Sequence, residues 1–157
     1  MDRAFVELSE ALTGYPQVDL FGTGLVEFNW ATLLEQAGEA PANELLAAWE
    51  RAKQAGDLDE GLRTEILSDP SLGPIARNLI RLWYLGQWGY QPGDTFIPSG
   101  ESYVQGLVWN AIGAHPMAAK QQGFGSWSLP PSEVDGVSRR PVAVKSGFRT
   151  AMDGCFR

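Results

Sequence analysis

Leu79-Ile80-Arg81-Leu82-Trp83-Tyr84-Leu85-Gly86-Gln87-Trp88-Gly89-Tyr90 sets four aromatic rings in twelve residues around a single charge. Upstream, Pro74 suits the first turn of a helix, where its missing N–H costs nothing. From there Ile75, Leu79 and Leu82 recur on one stripe, and Ile80, Trp83 and Tyr84 widen it until only Arg77, Asn78 and Arg81 stay polar. A helix this apolar belongs at the centre of a helical core. Its rings form either the buried centre of that core or part of a surface that another protein covers, and both can hold at once.

Working outward, the same period repeats. Phe5, Leu8 and Leu12 recur at spacings of three and four behind Asp2, a capping residue, and Gly14 with Pro16 closes that helix. Leu25, Phe28, Leu33 and Leu34 fit a helical stripe over about 24 to 37, with Gly22 and Gly24 weakening anything before it. Pro41 opens a third helix carrying Leu45, Ala48, Trp49 and Ala52 as far as Gly56; Asp57 or Asp59 caps a fourth over Glu60 to Leu67, which Asp69-Pro70 stops. After the central helix, Gly86 to Gly100 reads as loop. Glu101 to Ala114 then restores a helical pattern, with Gly106 allowing close backbone contact and His115-Pro116 ending it. No strand and no internal repeat emerges. The expectation is an all-α domain of about six helices over residues 1–136, with long Gly/Pro-rich loops and an extended C-terminal arm, followed by a basic tail over 137–157.

Composition bounds the rest. A chain of 157 residues makes one ordinary domain that buries about 70% of its unfolded surface. The net charge of -7 speaks against nucleic acid, which needs clustered Lys and Arg. Charge is uneven: residues 1–136 hold 7 basic and 18 acidic side chains, residues 137–157 hold 5 and 1. That tail reads as a solvated terminus or as a basic arm touching an acidic partner or the acidic body. Cys155, the only cysteine, cannot form an internal disulfide. No apolar run is long enough to span a membrane, and the first thirty residues lack the basic-then-apolar pattern of an export signal.

Chemistry-bearing patterns are sparse. His115, the only imidazole, sits before a proline at a helix end, a poor place for a proton relay. One His and one Cys leave zinc to carboxylates. The run Asp57-Leu58-Asp59-Glu60-Gly61 has its glycine one place early for a calcium loop, and Ser68 stands where the closing Glu belongs. Gly22-Thr23-Gly24 lacks the third glycine and the preceding strand of a dinucleotide fingerprint. Scattered carboxylates leave room for an acid/base enzyme, yet nothing in the sequence fixes two of them across a cleft. No catalytic, cofactor or metal residues are therefore assigned.

What stands out is aromatic excess. Six tryptophans are present, and Trp88, Tyr90, Phe96, Phe124 and Trp127 fall in segments read as loop. Large rings there need either the core or a partner to cover them.

The motifs Leu8-Ser9-Glu10-Ala11-Leu12-Thr13-Gly14, Leu82-Trp83-Tyr84-Leu85-Gly86, Tyr103 to Trp109 and a closing Gly-Phe/Trp-Pro-Pro segment follow in an order that resembles one family. It is the small subunit of membrane-bound, flavin-dependent sugar and alcohol dehydrogenases, the sorbitol dehydrogenase small-subunit family. The resemblance spans roughly residues 4 to 131. It implies a helical companion without a cofactor, whose partner is an FAD-dependent catalytic dehydrogenase subunit, with a multihaem cytochrome c subunit carrying electrons to the membrane. The small subunit of that family supports maturation of the catalytic one and typically supplies a twin-arginine export signal. By motif match, Trp83, Tyr84 and Gly86 become core or contact positions, Tyr103 and Trp109 their packing partners, and Gly123, Phe124 and Trp127 part of an arm laid on the partner. Trp88 and Tyr90 join them as partner-facing rings.

Two departures from the family pattern are visible: the export signal is missing, and Ala119-Lys120-Gln121-Gln122 replaces the neighbourhood of a family cysteine. The expected location is the periplasm if a signal has been removed and the cytoplasm if the chain is complete. A cytosolic adaptor or chaperone of the same fold, serving another exported protein, is the alternative.

Overall fold

The computed structural model describes residues 3–89 and 93–116. They belong to the first of two units, Met1–Phe124 and Gly125–Arg157. The arm and the 137–157 tail expected from the sequence, and the expected boundary at 136, lie outside the described residues.

The fold is all-α. Among the described residues the elements are α1 (Arg3–Thr13), α2 (Gln17–Gly22), α3 (Val26–Ala37), α4 (Glu39–Ala52), α5 (Leu58–Leu62) running into a π-helical turn (Arg63–Leu67), α6 (Leu72–Leu85), α7 (Gly100–Val104) and α8 (Val108–Ala111). The LIRLWYLG stretch is the centre: α6 packs against α1, α3, α4, the π-helical turn and α7. Ala76, Leu79, Leu82 and Trp83 are fully buried on it, and Phe5, Leu8, Leu33, Leu45 and Ile66 meet them in one core. The Phe5 and Trp30 rings, 5.1 Å apart, close the α1–α3 side.

Caps follow local chemistry. Asp57 accepts from the Asp59 and Glu60 amides, so it rather than Asp59 starts α5. Asp69 accepts from the amides of Ser71 and Leu72, both at 2.8 Å, and satisfies the orphan donors at the start of α6. Pro41 and Pro74 each occupy the third residue of their helix, so each helix starts two residues before its proline, which still sits where no intrahelical N–H is needed.

Two expectations change. Residues 17–22 form a helix of their own, which follows extended Pro16 and buries Leu20. Glycines 22 and 24 end that helix rather than prevent it: Gly24 takes φ 71°, and the Thr23 hydroxyl donates to Leu20 O at 2.7 Å while accepting from the Leu25 amide at 3.1 Å. The single helix expected over 101–114 is broken between Val104 and Val108. There the Leu107 amide turns away from a helical ladder to donate to Trp83 O at 3.0 Å. A Cβ on Gly106 would lie 2.6 Å from Tyr84 O. Docking on the end of α6 has outcompeted continuation of the helix.

Candidate functional site

The end of α6 is where the residues named from the sequence gather. Trp83 is fully buried and its indole N–H donates to Ser9 Oγ at 3.1 Å, tying α6 to α1. Tyr84 is half-buried; its hydroxyl donates to Thr13 O at 2.8 Å and its ring meets that of Tyr15 edge-on at 6.1 Å. Burial raises the Tyr15 phenol above its ordinary pKa, with Tyr84 and Asp19 adding to the shift, so this ring stays neutral.

Gly86 closes α6 in the left-handed conformation, φ 63°, and any Cβ there would sit 2.3 Å from the Ser102 carbonyl. The Ser102 hydroxyl donates to Ser99 O at 2.7 Å and also lies 3.2 Å from Gly86 O. Two backbones thus touch where only glycine fits.

Trp88 is 7% exposed, in an antiparallel bridge with Phe96 that pairs N and O both ways at 3.0 Å. The loop folds back and buries its own tryptophan, so a partner-facing ring at Trp88 gives way to a core ring. The Gly89 amide, held by Asn78 Oδ1 at 3.1 Å, fixes that return. Trp83 and Gly86 are likewise buried. Tyr103 and Trp109 pair edge-on at 5.3 Å, with the Trp109 indole donating to Tyr103 O at 2.7 Å; both are half-buried. Tyr90, Gly123, Phe124 and Trp127 lie outside the described residues.

Trp109 leads to a feature the sequence reading missed. It lines a cleft of about 310 Å³ between α2 and the α7–α8 segment, with Val18 and Asp19 on one wall and Val104, Gln105 and Asn110 on the other. Val18 is 73% exposed, Phe21 on the same helix 52%, and Ile112 just past α8 62%. The signal was present in Gln17-Val18-Asp19-Leu20-Phe21-Gly22: a six-residue helix that turns Leu20 into the core cannot also bury Val18 and Phe21.

Charge around this cleft is one-sided. Among the described residues every Lys and Arg is either Arg3 or lies between 51 and 81. Several of them are engaged there: Arg51 with Glu44 and Glu65, Lys53 with Glu7 and Glu50, and Arg63 with Glu60. Consequently α2, α3 and α7 carry carboxylates without any Lys or Arg of their own. His115 is exposed at the edge of the cleft.

No protein-family model, curated protein or solved structure matches this chain.

Among the described residues no group of three or more His, Cys, Asp or Glu could hold a metal ion, and no helix is long and apolar enough to cross a membrane. The arrangement presents apolar side chains beside a cleft whose lining includes one carboxylate, Asp19, and one imidazole, His115.

Proposed function

We propose that this chain is a noncatalytic accessory subunit that binds a flavin-dependent sugar or alcohol dehydrogenase catalytic subunit and supports its maturation. The observation that carries the reading is the exposure of Val18 and Phe21, three residues apart on α2, beside the cleft that Val18 lines, with Ile112 exposed just past α8. Large apolar side chains grouped on a surface mark a site that another protein covers. The motif order around Leu8–Gly14 and Leu82–Gly86 supplies the class of partner. On this reading FAD and the hydride abstraction belong to the partner, a multihaem cytochrome c subunit takes the electrons, and the assembly works in the periplasm.

Coexpression tests it. Coexpressed with its neighbouring genes, this chain should copurify with a flavin-containing polypeptide, and omitting it should lower the flavin content and activity of that polypeptide. A catalytic subunit that matures fully alone and never copurifies with the chain overturns the proposal.

A further inference from the structure

Resting on the accessory-subunit reading, we infer that the cleft between α2 and the α7–α8 segment seats a basic segment of the catalytic subunit, one in which Lys or Arg alternates with aliphatic residues. A space of about 310 Å³ takes a few side chains, not a folded surface. Its apolar contacts come from Val18, Val104 and the half-buried Trp109 ring, and the Asn110 amide offers hydrogen bonds to an extended backbone, while Gln105 donates its own amide to Glu101 at 3.2 Å.

Charge chooses the occupant. Asp19 lies on the cleft wall, Glu101 stands on α7, and no Lys or Arg occurs between residues 4 and 50 or 82 and 116 to neutralise them. A cationic segment gains from that field, whereas an acidic one is repelled.

The chemistry of the cleft is tested on the full chain by fluorescence anisotropy with labelled octapeptides of alternating Lys-Leu, Lys-Ser and Glu-Leu. Lys-Leu should bind tightest. Asp19→Lys and Val18→Asp should each weaken it by about tenfold, while Glu35→Lys, the same charge change at an exposed site on α3, should weaken it by less than about threefold. Thermal melts confirm that each variant folds. Equal binding of Lys-Leu and Lys-Ser, or equal losses from Asp19→Lys and Glu35→Lys, overturns the inference, because the attraction would then be diffuse charge.

The source is read separately by placing the photo-crosslinker benzoylphenylalanine at Asn110 in the coexpressed complex. A crosslinked peptide from the flavoprotein rich in Lys and Arg is the expected result. If the flavoprotein copurifies but the crosslink falls on an acidic peptide, on a second copy of the chain or on its own residues 137–157, the docking inference fails and the accessory role survives. If no flavoprotein copurifies, the accessory role fails and takes the assigned occupant with it, while the octapeptide series still decides whether the cleft selects basic, aliphatic peptide.

Discussion

Replacing Gly86 and Gly14 separately by alanine isolates the contact that locks α6 to α7. Both glycines end a helix with positive φ, 63° and 74°. Each alanine therefore meets a left-handed strain of about 1–2 kcal/mol. Around Gly14 a Cβ would meet nothing within 4 Å, so the strain is the whole cost. At Gly86 the same Cβ would lie 2.3 Å from the Ser102 carbonyl carbon and oxygen and 2.5 Å from the Tyr103 nitrogen. Backbone on both sides cannot swing aside like a side chain, so α7 must move. Overpacking of this kind adds about 1–3 kcal/mol. Displacing α7 also strains the Leu107–Trp83 hydrogen bond, worth about 1 kcal/mol. Gly86→Ala should then cost about 3–6 kcal/mol against about 1–2 for Gly14→Ala. Urea unfolding followed by tryptophan fluorescence gives both values by linear extrapolation. If the two variants differ by less than about 0.5 kcal/mol, the reasoning about backbone contact is wrong.

Trp83→Ala should destabilise the chain by about 3–5 kcal/mol, since a fully buried indole is lost; calorimetry reads it as a drop of roughly 6–20 °C in Tm. Trp83→Phe should cost about 1–3 kcal/mol, because Ser9 loses its indole donor, and adding Ser9→Ala should recover part of that loss. Asn29 is fully buried and neither polar atom of its amide has a hydrogen-bond partner among the described residues, so Asn29→Leu should stabilise the fold by about 1 kcal/mol or more in the same urea titration. Two carboxyls lie below their ordinary range in the folded chain: Glu7, chiefly through the hydrogen bond from Lys53, and Asp69, chiefly through the one from Ser71. Their contribution is therefore complete above about pH 5 and is lost as pH falls through about 4 and below. Tm measured from pH 6 downward should fall in that window, and the Glu7→Gln, Asp69→Asn double variant should show a shallower fall.

How far the candidate site was legible depends on the kind of signal each residue carries. Gly106 was readable as a point of close approach because glycine inside an apolar helical pattern has few other uses, and it does abut Tyr84 O. Trp88 was not assignable: a tryptophan between glycines looks the same whether its loop folds inward or outward, and the bridge to Phe96 that decides the matter spans eight residues. Val18 and Phe21 were overlooked because a helix of six residues shows less than two turns of periodicity. The cleft itself joins residues near 18 to residues near 109, which have no sequence relation.

By itself the sequence determined the helical class and the central place of residues 74–85, and narrowed the cap of the fourth helix to Asp57 or Asp59, because a 3.6-residue apolar period and a carboxylate two or three residues ahead of free amides are local facts. Only the tertiary structure decided where the last helical pattern breaks, which of the described tryptophans are interior, and that α2 leaves Val18 and Phe21 uncovered. Those outcomes depend on competition between distant groups. Leu107 can continue its own helix or donate to Trp83, and the gain from docking on the end of α6, invisible in either segment alone, settles which it does.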